Sequence, residues 1–323
     1  MKKLICVILS LVMILSLTAC GSSAADDSLK VAIVQQLDHS SLDEIRTAIE
    51  AQLKALAAEK GMTVEITYDN GQNDASMLNQ IGTQVVADNV DMIIPIATLA
   101  AQSMVTAADG TDIPVVYAAI SDPEGAGLTG MDTVTGVSDA LNTPFILDMM
   151  LAADPEVKTV GLLYSNSEIN SEAPIREAKA YLDAKGIAYV EKTGNNASEI
   201  IAAASDLVGR VDAVFTPTDN VVMASEAAVA ELLNNAGIPH YTGADSFVQA
   251  GAFATCGVNY TELGTKTADM AMDILQTGNV PAFHTMEGGI ITVNTETAQS
   301  CGIDYSVFKD MANTVNEVVT TAE

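Results

Sequence analysis

Lys30-Val31-Ala32-Ile33-Val34-Gln35-Gln36 is a short, almost wholly apolar run, and Leu42–Lys60 follows it with apolar residues at Leu42, Ile45, Ile49, Leu53 and Leu56 before Gly61. The first stretch has the length of a strand buried on both faces. The second has the three-and-four spacing of an amphipathic helix that a glycine closes. The same alternation continues outward. Met62–Tyr68 reads as a strand, Ala75–Asp88 as a helix, Asp91–Ala97 (DMIIPIA) as a strand, Thr98–Ala108 as a helix and Ile113–Ala118 (IPVVYA) as a strand. Strands separated by helices of this length build a parallel sheet with helices on both faces.

The pattern then begins again. Thr159–Tyr164 (TVGLLY), Ile187–Lys192, Val211–Phe215 and Ile238–Thr242 read as strands, with helices over Ser171–Lys185, Ser198–Leu207 and Asn220–Asn235 between them. Two copies of one α/β architecture joined near Val137–Asn142 predict two lobes whose strand ends face a shared cleft, where open sheets of this kind bind ligands. The tail departs from a simple tandem: Ala252–Val258 reads as a strand, Tyr260–Gln276 as a long helix, Gly289–Val293 as a strand, Thr295–Cys301 as a further segment and Tyr305–Val319 as a last helix. If Gly251–Val258 and His284–Val293 cross back between the lobes, the hinge has three strands and closure is a rotation about three short connections.

The N-terminus places this fold outside the cytoplasm. Lys2-Lys3, the apolar run Leu4–Leu17 and then Leu17-Thr18-Ala19-Cys20-Gly21 describe a cleavable export signal, since a membrane span needs about 20 apolar residues. Leu-x-Ala-Cys resembles the bacterial lipobox, after which Cys20 becomes the N-terminus and carries the lipid (a palmitate-type acyl anchor). Ser22–Ser28 is a polar tether. The expected organisation is a signal peptide at 1–19, a lipidated tether at 20–28, an N-terminal lobe at 29–139 plus about 257–284, and a C-terminal lobe at 140–256 plus about 285–323. The formal charge of −28 over 323 residues repels phosphate backbones and anionic lipid, which disfavours nucleic-acid binding and leaves the lipid as the means of membrane attachment.

The loops after the strands share one chemistry: Gln35-Gln36-Leu37-Asp38-His39-Ser40, then Ala97-Thr98, Ser121-Asp122-Pro123, Ser165–Ser171 and Pro217-Thr218-Asp219-Asn220. Hydroxyls, amides and isolated carboxylates at helix starts suit a small zwitterion. A ligand carboxylate is favoured by free N–H groups and the positive helix end at Thr98; an α-ammonium needs an unpaired carboxylate such as Asp219. Thr98, Ser171 and Asp219 are equally good N-cap residues on their own. His39 reads as a rim or packing residue, and Phe247 is a candidate to face the ligand.

Enzyme and metal motifs fail on context. Gly125–Gly130 satisfies G-x-G-x-x-G but leads into a strand-like Thr133–Val137, and Gly264-Thr265-Lys266-Thr267 lies inside a helix. Neither G-x-S-x-G nor H-E-x-x-H occurs. His39, His240 and His284 are scattered, and Cys256 and Cys301 fit no metal spacing, so no metal or other cofactor is expected; the two cysteines either pair or remain free thiols.

Taken together, VAIVQQLDH, DMIIPIATLAAQ, AAISDPEGAGL, TGVSD, GLLYSNSEINS, FTPTDN, GAFATCGVNYTELG and ITVNTETA make the chain resemble the substrate-binding lipoproteins of ABC importers of the tryptophan/tyrosine type. That resemblance implies a periplasmic-binding-protein type I, or Venus flytrap, fold. It also implies a monomeric, non-enzymatic receptor that captures an amino acid, often an aromatic one, and delivers it to a permease and its ATPase. It places the α-carboxylate at Thr98 and the α-ammonium at Asp219, with Asn220, Ser167, Asn170 and Ser121 in the polar shell and Gln36 and Asp245 at its margin. The family often has Thr-Pro where this chain has Thr98-Leu99, and aromatic residues are only 4% of the chain. A sensory or adhesion lipoprotein on the same fold, or a nucleoside or sugar receptor, is the alternative.

Overall fold

A computed structural model describes residues 28–321; the signal peptide, Cys20 and the tether before Ser28 lie outside the described residues. Strand β1 (Ser28–Gln35) is buried from Val31 onward on both faces, the environment that selects an uninterrupted Val/Ala/Ile run in a parallel sheet. Helix α1 (Ser40–Glu59) turns Leu42, Ile45, Ile49 and Leu53 inward. There follow β2 (Thr63–Asn70), α2 (Ala75–Ala87), β3 (Met92–Ile96), α3 (Thr98–Ala108), β4 (Val115–Ala118) and β5 (Val134–Ser138).

The second run comprises α4 (Thr143–Ala153), β6 (Thr159–Tyr164), α5 (Glu172–Lys185), β7 (Ala188–Thr193), α6 (Ala197–Ser205), β8 (Ala213–Thr216), α7 (Asn220–Met223), α8 (Glu226–Asn235), β9 (His240–Thr242), α9 (Asp245–Gln249) and β10 (Ala254–Gly257). The tail adds α10 (Tyr260–Thr277), β11 (His284–Thr285), β12 (Ile290–Asn294), α11 (Thr295–Cys301), α12 (Phe308–Met311) and β13 (Thr314–Val318). The first sheet runs β11-β5-β4-β3-β1-β2 and the second β13-β12-β10-β9-β8-β6-β7. Two α/β lobes result, and the chain passes between them through residues 139–142, 258–259 and 286–289. Gly289, at φ +102°, supplies in the last connection a backbone conformation that other residues rarely adopt.

Three local expectations change. The helix over Asn220–Asn235 is two helices, separated at Ala224-Ser225. The last helix over Tyr305–Val319 is the single turn α12 followed by β13, which extends the second sheet alongside β12; Val315 and Val318 sit in a stretch whose β-branched residues suit a strand better than a helix. The second sheet is also not wholly parallel. β10 and β12 pair antiparallel, because the chain leaves the lobe at the end of β10 and returns at that same end to begin β12, with no crossover to reverse it. Cys256 is buried, Cys301 is partly buried, and both are free thiols. Among the described residues no helix is long and apolar enough to cross a membrane.

Helix α10 packs along α1, closing the first lobe. The contact is tight at Gly264, where an added Cβ would lie 2.5 Å from the Ile45 carbonyl oxygen and 2.7 Å from Ala48 Cβ. Gly264 is therefore a packing residue. Gly264→Ala gains about 1 kcal/mol of helix propensity but forces two backbones apart, a strain of typically 1–3 kcal/mol. A net loss of up to about 2 kcal/mol in urea unfolding is expected; a higher midpoint would count against this close approach.

Candidate functional site

The carboxyl ends of the two sheets face each other, and the loops that follow them meet in a buried polar seam. Gln36, the first residue after β1, donates through Nε2 to Asn73 Oδ1 (2.8 Å) and, across the interface, to Glu168 Oε1 (3.0 Å), while its Oε1 accepts the Leu99 N–H at the start of α3 (2.9 Å). Glu168 Oε2 accepts from Asn220 Nδ2 (2.7 Å), and Asn220 Oδ1 lies 3.3 Å from His39 Nε2, back in the first lobe. Ser121 Oγ is 2.9 Å from Thr218 Oγ1, and Ser41 Oγ donates to Asp245 Oδ1 at 3.2 Å. Among the described residues four side-chain pairs thus join the lobes.

The chain of donors fixes a tautomer. Asn220 presents its NH₂ to Glu168, so its carbonyl oxygen must accept from His39, which puts the imidazole proton on Nε2. Burial lowers the His39 pKa to about 4 against the smaller opposing effects of Asn220, Asp43 and Asp38, so the ring is neutral. Its Nδ1 is then a bare acceptor, buried and without a partner among the described residues.

Behind the seam lies a slot walled by both lobes, lined by Leu42, Thr98, Asn220, Met223, Phe247 and Tyr260 among others. Only about 30 Å³ of it admits the centre of a water molecule. That is room for about two waters, so the lobes are closed on each other and must part to admit a solute. Two alanines on its wall adopt positive φ: Ala97 at φ +73°, ψ 163°, just before α3, and Ala119 at φ +58°, just after β4. Non-glycine residues in such conformations cost on the order of 1–3 kcal/mol and concentrate at ligand sites.

Of the residues singled out in the sequence, Thr98, Ser121, Asn170, Asp219 and Asn220 line the slot, as do His39 and Phe247. Thr98 begins α3 and is buried. Asn170 Nδ2 donates to the Thr218 carbonyl oxygen at 2.7 Å. Asp219 has a different job from an ammonium clamp. Its Oδ2 accepts from Ser165 N (2.7 Å) and Ser171 Oγ (2.7 Å), and its Oδ1 from Val221 N (3.1 Å) and Val222 N (3.0 Å). Four donors fill a carboxylate, and Asp219 serves as the cap of α7. Gln36 belongs to the seam, all its polar atoms engaged. Ser167 is exposed and bonds Ser165 Oγ at 2.7 Å, and Asp245 borders a separate depression with Glu44; neither reaches the slot.

Glu168 and Asp139 were missed as site residues. Glu168 is the acid within Ser165–Ser171, and Asp139 follows a strand as the other loop residues do, but within the Val137–Asn142 junction between the two halves of the pattern. Burial is the main cause of the Glu168 pKa rising to about 7; the nearby Asp219 charge adds to it, and the amides of Asn220 and Asn170 oppose it.

A closed slot between two lobes, with a helix start on one side, carboxylates on another and apolar side chains along its length, defines a solute receptor that works by lobe closure. Residues 30–313 match the family described as ABC transporter substrate binding protein, and the chain belongs to that family. A tyrosine-binding protein of Clostridioides difficile (strain R20291) is 30% identical over 320 residues, covering 93% of this chain and 92% of that one. A crystal structure from Streptococcus pneumoniae in complex with L-Trp superposes with a TM-score of 0.82 at 30% identity, covering 89% of this chain and 99% of the other. The ligand-free, open structure of a substrate-binding protein with adhesive properties from Clostridium difficile gives 0.69 at 31% identity, covering 91% and 100%. At nearly the same identity the fit is better to the tryptophan complex than to the open form, in keeping with the hydrogen bonds that join the lobes here.

The raised pKa of Glu168 has a signed consequence. A carboxyl whose folded pKa exceeds its ordinary value near 4.5 contributes stability below that value and loses it as pH rises through the folded pKa. Between pH 5 and pH 8 the melting temperature of the wild type should therefore fall relative to Glu168→Gln, as read by differential scanning fluorimetry at each pH. Parallel curves would mean that Glu168 does not titrate in this window.

Proposed function

We propose that this protein is the extracytoplasmic receptor of an ABC importer for an L-amino acid with a large apolar or aromatic side chain, which it binds in the interlobe slot without chemical turnover. The composition of the slot carries the reading. The start of α3 at Thr98 offers N–H groups and the positive helix end to a carboxylate, the acidic wall suits an ammonium, and Leu42, Met223, Phe247 and Tyr260 suit an apolar side chain between them. The tyrosine- and tryptophan-binding relatives support the same class of ligand. A sugar or nucleoside would leave most of this apolar lining facing hydroxyls. Residues 139–142, 258–259 and 286–289 serve as the hinge, and the closed form is the one a permease reads. The lipid on Cys20 keeps the receptor near that permease; Leu17-Thr18-Ala19-Cys20 supports this role.

Only the folded protein binds, so a ligand at about 100 times its Kd adds roughly 2.7 kcal/mol of stability. In a thermal-shift screen of the mature chain, L-tyrosine or L-tryptophan is expected to raise the melting temperature by several degrees, with ribose and adenosine inert. A shift with a nucleoside or sugar and none with any L-amino acid would contradict the proposal.

A further inference from the structure

Among the described residues three carboxylates are buried where the lobes meet and a fourth, Asp245, is half-buried there, and their partners differ. Asp219 is filled by four donors of its own lobe. Glu168 receives two side-chain amides, one from each lobe. Asp245 receives the Ser41 hydroxyl and lies outside the slot. Asp139 lines the slot and is 6% exposed. Its Oδ1 accepts from Ser121 Oγ at 3.0 Å, and its own backbone amide also donates to the carboxylate. No lysine, arginine or histidine nitrogen lies within 4.0 Å of it among the described residues.

A carboxylate offers about four lone-pair directions, and a buried one without a counter-charge is costly. Asp139 is thus the acid on the slot wall with capacity to spare. Burial raises its pKa to about 6 against the lesser effects of Ser121 and its own amide, the state an arriving cation would reverse. Its place matters as well. It is the first residue after β5 and the first of the 139–142 connection. Because Ser121 spends its proton on Asp139, the hydroxyl of Thr218 must be the donor in the Ser121–Thr218 pair that joins the lobes. Asp139 is therefore bonded to one of the side-chain pairs that form on closure.

We propose that Asp139 binds the α-ammonium of the ligand, so that the recognised charge sits at the hinge and reaches the closing contact through Ser121. This rests on the amino-acid reading of the slot given above, and it replaces Asp219 in that role.

Isothermal titration calorimetry of the mature wild type and Asp139→Asn, each with L-tryptophan and L-tyrosine and with their desamino analogues indole-3-propionate and 3-(4-hydroxyphenyl)propionate, tests it. Removing one partner of a buried charge pair weakens binding by about 100-fold. The wild type should prefer the amino acid over its desamino analogue by about that factor. Asp139→Asn should lose the preference while binding the analogue as the wild type does, which also shows that its site is intact. If Asp139→Asn keeps the wild-type preference, the ammonium is held elsewhere and the proposal is wrong. Equal losses for amino acid and analogue would make Asp139 a structural residue and overturn it too. If the wild type binds no L-amino acid, the receptor reading itself fails, an outcome separate from either of these.

Discussion

Everything in this molecule that concerns function depends on a polar seam that can exist in two solvation states. Gln36, Glu168, Asn220 and His39 are bonded in sequence across the two lobes. When the lobes part, the same groups are satisfied by water. A hydrogen bond exchanged in this way is worth only about 0.5–1.5 kcal/mol net, so the four side-chain pairs contribute about 2–6 kcal/mol together, of the same order as the entropy lost in ordering the eight side chains that make them. A buried apolar seam would lock the lobes, and an unpaired polar one would hold them apart. The small balance is what allows a solute of ordinary affinity to shift the equilibrium.

The geometry of the sheets puts the seam there. Parallel strands end together, helices begin where they end, and the loops between them carry hydroxyls, amides and acids that serve first to cap. Asp219 shows the limit of reading such residues in sequence: a residue type suited to an ammonium is equally suited to four local donors, and only the fold decides. Ser167 and Asp245 lie on the right loops but outside the slot. Thr98, Ser121, Asn170 and Asn220 were legible because all four follow strands at the same end of their sheets. Asp139 obeys the same rule, yet a position where one lobe passes into the next reads as a linker. The strained alanines Ala97 and Ala119 leave no trace in sequence, since alanine is unremarkable until its φ is known.

The architecture was legible wherever periodicity ran long enough to show its phase. The apolar stripe of α1 and the buried run of β1 were plain, and so was the repetition of the α/β pattern in the second half. The tail was less so. A four-residue helix and a five-residue strand at an edge carry too few positions to separate a period of 3.6 from one of 2. The antiparallel return of β12 follows from where the chain re-enters the lobe, which no local pattern records. The chain's charge of −28 also takes on more specific meaning: the acids at the interface include buried groups whose ionisation is held back by the fold, and lobe closure draws on them directly.

The most direct measurement is the distance between the lobes. Spin labels at Ser76→Cys and Glu177→Cys, both exposed positions on helices of opposite lobes, with Cys301 replaced by serine, report it by double electron–electron resonance. Saturating L-tyrosine or L-tryptophan should move the distribution toward a single short distance, with a longer one populated in its absence. An identical distribution with and without a ligand that calorimetry shows to be bound would contradict the account of a receptor that works by closing.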